Sequence, residues 1–122
     1  MSLVLVDKSA YIRGALEVRH DDELCLCAVT RLELLYSARS SQDYERLEQD
    51  LTQFRDLRMD AETFAVALSA QRELAASSQH RVPITDVLIA SCAHQHSADV
   101  AHVDRHYDVL SEVLAFTPRR VA

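Results

Sequence analysis

Leu3-Val4-Leu5-Val6-Asp7 is an unbroken apolar run that stops on an acid. A run of this kind suits a strand buried on both faces, since a half-exposed strand would alternate apolar with polar residues. Similar runs return at Leu24-Cys25-Leu26-Cys27-Ala28-Val29, after the acidic segment Asp21-Asp22-Glu23 that reads as a loop, and at Asp99-Val100-Ala101-His102-Val103, which ends on Asp104. Between them apolar residues recur at helical spacing. Helices are expected from about Ser9 to Glu17, and from Thr30 to about Ala38 with Leu32, Leu35 and Tyr36 on one side. The next runs from Asp43 to Phe54, with Tyr44, Leu47, Leu51 and Phe54 in a stripe. Asp60 can cap a helix to about Ser77 with Phe64, Ala67, Leu68 and Leu74 inward, and Thr85 can cap one to His96 that buries Leu88, Ile89, Cys92 and Ala93. A short last helix carries Tyr107, Leu110 and Leu114. Short strands are expected at Leu57-Arg58-Met59 and from Leu114 to Phe116. Alternating strands and helices predict an α/β fold with a mainly parallel sheet between helices. In such a sheet ligands bind beyond the carboxyl ends of the strands, where the strand order reverses.

The 122 residues suffice for one domain, 1–122, and their 48% apolar content supplies a core. No apolar run is long enough to span a membrane, and the first residues lack the basic segment and cleavage site of a signal peptide, so a cytoplasmic protein is expected. Three cysteines, an odd number, do not form a closed disulfide set. Cys25, Cys27 and Cys92 read as buried free thiols. The net charge of −6 runs against the basic excess of most nucleic-acid binders. Acids that converge on cations would nevertheless cancel part of that surplus where a phosphate approaches, and twelve arginines can still form a phosphate-binding rim.

Asp7 and Asp104 end strands, Glu33 lies one turn into the helix after the second strand, and Asp86 opens a helix after Pro83. All four can face one edge of the sheet. Convergent carboxylates need a counter-charge, and hard oxygen donors suit Mg²⁺ or Mn²⁺. Each acid also has a purely structural reading: Asp7 and Asp104 as helix caps, Glu33 with Thr30 as a capping box, Asp86 as an acid favoured by the helix dipole. Glu33 among Leu32, Leu34 and Leu35, and Asp86 before Val87-Leu88-Ile89-Ala90, are however set in apolar surroundings that a surface cap does not require.

Four stretches carry a family resemblance. Val6-Asp7-Lys8-Ser9-Ala10, Arg31-Leu32-Glu33-Leu34-Leu35, Pro83-Ile84-Thr85-Asp86-Val87-Leu88-Ile89-Ala90 and His102-Val103-Asp104-Arg105-His106-Tyr107 resemble, in order and spacing, the four motifs of PIN-domain ribonucleases of the VapC toxin type. The resemblance covers essentially the whole chain. It implies a three-layer α/β/α domain and a metal-dependent endoribonuclease, with Asp7, Glu33, Asp86 and Asp104 as catalytic, metal-binding acids and Mg²⁺ or Mn²⁺ as cofactor. Ser9 matches a small hydroxyl residue that supports the site. The implied partners are an RNA substrate, a cognate VapB-type antitoxin and a second copy in a homodimer, for which Tyr11 and Ile12 are candidates. His106 stands where many members have a further Asp, a departure that could weaken a second metal position. Asp108 reads as a solvated helix acid.

Other aspartate-based folds fit less well. A haloacid-type phosphatase would want an acid at Ser9, a receiver domain a lysine at the last strand, and a dinucleotide site glycines in the first turn, where the only glycine is Gly14. The competing functional readings are a PIN-fold binding module without catalysis and a structural protein whose acids fan out to solvent.

Overall fold

The computed structural model describes residues 2–14, 16 and 18–121. The sheet has five strands, β1 (Ser2–Val6), β2 (Asp22–Leu26), β3 (Arg55–Asp56), β4 (Asp99–His102) and β5 (Pro118–Arg120). Their order is β3-β2-β1-β4-β5 and every pairing is parallel. Around the sheet lie α1 (Lys8–Arg13), α2 (Ala28–Tyr36), α3 (Ser41–Leu51), α4 (Ala61–Ala76), α5 (Ile84–His96) and α6 (His106–Leu110).

The alternation of side chains along a strand divides the core into two layers. Val4 and Val6 pack with Ala10, Leu34 and Leu51 from α1, α2 and α3. Leu5, with Leu3 behind it, packs against Ala67, Ala70 and Leu74 of α4 and against Ile89, Ala90 and Ala93 of α5. Helices on both faces explain why the strands are apolar on both sides, and the three-layer α/β/α expectation holds. The three cysteines are free and buried, and no helix among the described residues is long and apolar enough to cross a membrane.

The element boundaries move for identifiable reasons. α1 stops at Arg13 because Gly14 takes the left-handed conformation (φ 68°) and its N–H returns to the Ala10 carbonyl; the expected end at Glu17 lies outside the described residues. The acidic segment expected as a loop belongs partly to β2: Asp22 is paired with Arg119, and Glu23 with Arg55 at 2.6 Å, so both charges are neutralised across the sheet. Ala28 and Val29 leave the strand to open α2. β3 falls before Leu57 rather than at 57–59. Arg31 donates to the carbonyls of Leu51 and Phe54 and so positions the turn that leads into it. The apolar residues Leu114 and Phe116 fill the core beside α6, and the last strand begins at Pro118, a residue suited to the first position of an edge strand. In α4 the inward face is Thr63, Ala67, Ala70 and Leu74, while Phe64 and Leu68 are 52% and 69% exposed. Leu32 and Tyr36 likewise face outward from α2.

Arg119 ties the amino ends of the strands together. Its two terminal nitrogens reach the Asp22 carboxylate at 2.8 and 3.2 Å, and Nε donates to Asp99 at 2.7 Å. The guanidinium holds the Asp22 carboxyl below its ordinary value of 3.8, and the Arg19 backbone N–H adds to the effect. A carboxyl depressed in the folded state contributes stability above its unfolded pKa and loses it as the pH falls through the folded one. An Arg119→Met variant is therefore expected to be less stable than the parent in urea at pH 7, with a gap that narrows below about pH 4. An equal gap at pH 7 and pH 3 would refute this role.

Candidate active site

The strand order places β1 and β4 side by side although the chain visits β2 and β3 between them, so the direction of winding reverses at this pair. In a parallel sheet such a reversal leaves a crevice beyond the carboxyl ends of the strands, and the next residues here, Asp7 and the segment from Val103 to Asp104, stand at that edge. α1 and α6 start there, α2 brings Glu33, and the first turn of α5 brings Asp86.

Asp7 is 5% exposed and held on both oxygens. Oδ2 accepts from the Ser9 N–H at 3.0 Å and from Ser9 Oγ at 2.5 Å, the first being an N-cap bond for α1. Oδ1 accepts from the Tyr107 hydroxyl at 2.6 Å. Ser9 Oγ in turn accepts from the Val103 N–H at 3.1 Å, so one hydroxyl joins the ends of β1 and β4. Tyr107 is fully buried, tilted against the His102 ring with centroids 5.1 Å apart, and its hydroxyl also lies 3.4 Å from Asp86 Oδ1. A single phenol thus stands between two carboxylates.

Asp86 and Asp104 meet at His106. Its Nδ1 lies 3.0 Å from Asp86 Oδ2 and 2.9 Å from Asp104 Oδ1, and its backbone N–H donates to the same Asp104 oxygen at 3.0 Å. Donor atoms of these three residues all fall within 4.8 Å of one another, a span that one divalent cation at roughly 2.1 Å from each donor can bridge with small side-chain shifts. Glu33 lies near enough to feel the charges of Asp7 and Lys8.

The electrostatics carry the mark of convergent acids. Asp86 is pushed up to about 6, chiefly by burial and then by the charge of Asp7, against the opposing pull of His106. Burial and then Asp7 raise Glu33 as well. Tyr107 is driven well above its ordinary value by burial and by Asp7 and Asp86, so it remains a hydrogen-bond donor. A cation entering here relieves a repulsion already present.

All four acids singled out from the sequence therefore lie at this edge, and Ser9 supports Asp7 as expected. The structural readings are partly true also: Asp7 caps α1, and Asp104 takes the His106 N–H. The capping box expected for Glu33 does not form. α2 starts at Ala28, the buried Thr30 hydroxyl meets Cys27 Sγ at 3.1 Å, and Glu33 stands close enough to Asp7 to feel its charge. Thr85 does not cap α5, because extended Pro83 precedes its first residue. Asp108 pairs with Arg120 at 3.6 Å on the surface. Tyr107 and His106 are the residues that the sequence reading undervalued. The signal lay in the motif itself: an aromatic three residues after Asp104, and an imidazole between them.

These features are those of a PIN domain, and the model of the PIN-domain family matches residues 4–113. The chain is 37% identical over 120 residues to Ribonuclease VapC17 of Mycobacterium tuberculosis, covering 93% of this chain and 90% of that one. It is 40% identical over 95 residues to Ribonuclease VapC18 of the same species, covering 75% of this chain and 69% of the relative. The fold is that of a VapBC-5 crystal structure from Mycobacterium tuberculosis, with a TM-score of 0.78 at 20% identity over 99% of this chain and all of that one. It also matches a VapBC2 structure from Rickettsia felis bound to promoter DNA, with a TM-score of 0.79 at 12% identity over 98% of this chain and 99% of the other. The chain belongs to the VapC group of the PIN-domain family.

Two outcomes follow from this geometry. Ser9→Ala removes the shared hydroxyl and leaves the Val103 N–H without its partner, which is expected to cost about 1–3 kcal/mol in urea unfolding. Asp86→Asn is expected to stabilise the metal-free protein near pH 7.5 by on the order of 2 kcal/mol, since a carboxyl raised on folding opposes folding above its unfolded pKa. That advantage should shrink as the pH falls through about 6 and vanish near 4. A gain that is the same at pH 7.5 and pH 4 would show that burial of this charge is not its source.

Proposed function

We propose that this chain is a metal-dependent endoribonuclease, the toxin component of a VapBC-type toxin–antitoxin pair, that hydrolyses RNA phosphodiester bonds. The observation that carries the reading is the convergence of Asp7, Glu33, Asp86 and Asp104 at the switch point of the sheet. The 37% identity to a protein named as a ribonuclease supports it.

In this reading the four acids hold one or two Mg²⁺ or Mn²⁺ ions. A bound ion supplies a counter-charge for the scissile phosphate and makes a nucleophile available at neutral pH. The chain's own residues do the positioning. Ser9 and Tyr107 fix Asp7 on both oxygens, and the ends of β1 and β4 keep it opposite Asp104. Lys8, next to Asp7, and exposed Arg105, next to Asp104, offer positive charge to the flanking phosphates, which carry orientation rather than sequence. No covalent intermediate is needed.

The structural neighbour from Mycobacterium tuberculosis is a member of the VapBC family of toxin–antitoxin systems, which supports a VapB-type antitoxin as partner here. In this reading a second copy of the chain is a further partner, RNA is the substrate and the cytoplasm is the place of action. Ile12, Leu32, Tyr36, Phe64, Leu68 and Ile84 are large and exposed on α1, α2, α4 and α5, and such surface suits protein partners. One observation favours the rival binding module: His106, if charged, is an internal counter-ion for Asp86 and Asp104.

The deciding experiment is cleavage of total cellular RNA by the purified, antitoxin-free protein with Mg²⁺ or Mn²⁺, beside an Asp7→Asn variant and a chelator control. Discrete fragments are expected, reduced at least about a hundredfold in both controls. Intact RNA from folded, metal-loaded protein would leave the binding module as the better account.

A further inference from the structure

We infer that His106 is a nitrogen ligand of the cation site, and that it biases the site toward Mn²⁺ and later transition ions over Mg²⁺. This rests on the reading above that the crevice takes a divalent cation, and it adds to that reading a donor outside the four acids and a selectivity.

The geometry is the starting point. Two donors in neighbouring positions of an octahedron, each roughly 2.1 Å from the ion, lie about 3 Å apart. His106 Nδ1 stands at 3.0 Å from Asp86 Oδ2 and 2.9 Å from Asp104 Oδ1. It therefore has the spacing of a ligand adjacent to each of the two carboxylates. The ring is held there by the backbone, since the His106 N–H is bound to Asp104 at the first position of α6. Its side chain is 34% exposed, so an ion and its waters can reach the nitrogen.

Chemistry supplies the consequence. An all-oxygen site suits Mg²⁺, a hard ion that dehydrates reluctantly, whereas imidazole suits ions further along the first transition row. Replacing one oxygen donor by an imidazole nitrogen weakens the site's preference for Mg²⁺ and strengthens that for Mn²⁺, Co²⁺ and their neighbours. The opposed possibility uses the same distances. A charged imidazole between two acids would occupy the place of a cation and compete with it. The two cases differ in sign when the ring is removed.

The test is calorimetric titration of the metal-free, full chain with Mn²⁺ and with Mg²⁺, without RNA, for the parent, His106→Ala and His106→Asp. Loss of a direct ligand should cost at least as much as loss of an outer partner, so His106→Ala is expected to weaken Mn²⁺ binding by roughly tenfold or more and Mg²⁺ binding by much less. His106→Asp is expected to lower the Mn²⁺-to-Mg²⁺ affinity ratio by bringing back an oxygen donor. On the Mn²⁺-loaded parent, pulsed electron paramagnetic resonance should show coupling to one imidazole ¹⁴N that disappears in His106→Ala. This readout needs no activity, and the parent's own signal stands whether or not a variant folds. Mn²⁺ binding that is unchanged or tighter in His106→Ala, or a bound Mn²⁺ without nitrogen coupling, overturns the inference. RNA cleavage with a nitrogen-free Mn²⁺ site leaves the nuclease reading standing and removes this one. A nitrogen-coupled site with RNA uncut does the reverse.

Discussion

The carboxylate of Asp7 is the point on which the site hangs. Ser9 grips one of its oxygens with both N–H and hydroxyl, and the phenol of Tyr107 grips the other. Through Ser9 the grip extends to the Val103 N–H, and through Tyr107 toward Asp86. Ser9 and Val103, 94 residues apart in sequence, thereby join the segments that leave β1 and β4 through one hydroxyl. The field of Asp7 reaches its neighbours, and Asp86, Glu33 and Tyr107 all shift upward partly because of it. The sheet supplies the place, and this small network fixes what the place is like.

The rest of the fold serves to bring four elements to that place at once. Parallel strands require crossover helices. With the order β3-β2-β1-β4-β5, the crossovers on one side of β1 return helices to one face and those on the other side to the other. α1 and α2 therefore arrive with Ala10 and Leu34 in one core layer, while α5 and α6 arrive with Ala90 and Leu110 in the other. Their amino ends share a rim. At the opposite end of the strands the charge is treated differently, with Asp22 and Asp99 closed by Arg119. The two ends of the strands thus differ in kind, with acids paired to arginine at one and acids crowded together at the other.

How much of this could be read beforehand follows from what each signal measures. The apolar runs ending on Asp7 and Asp104 report burial on both faces, so the parallel sheet and its loaded end were legible. Boundaries were less so, because they depend on partners distant in sequence. Asp22 and Glu23 enter a strand only because Arg119 and Arg55 neutralise them. Phe64 and Leu68 looked like core because periodicity reports apolar spacing, not how far a stripe is rotated; the buried face of α4 keeps Ala67 and Leu74 but turns in Thr63 and Ala70 in their place. The four acids were found through motif order. The competing capping box at Thr30 and Glu33 could be dismissed only by seeing α2 begin earlier and Thr30 turn to Cys27. Tyr107 was read only as a residue of the short last helix, whereas its buried hydroxyl reaches the Asp7 carboxylate.

The net charge of −6 also takes on a different meaning once the charges have positions. Arg31, Arg46, Arg55, Arg58, Arg119 and Arg120 are each committed to an acid of the chain itself. Half of the arginines therefore secure the fold instead of offering a phosphate-binding surface. Asp7, Glu33, Asp86 and Asp104 meanwhile crowd one edge of the sheet, and in the proposed nuclease they would repel a phosphate until cations are bound and attract it afterwards through them. In that proposal affinity for a polyanion is conditional on the cations themselves. An acidic protein with a few rim charges such as Lys8 and Arg105 can then work on nucleic acid without a broad basic face. Because that condition rests on the cation, the donor that selects the cation, whether carboxylate oxygen or the His106 nitrogen, bears on when the whole surface becomes competent.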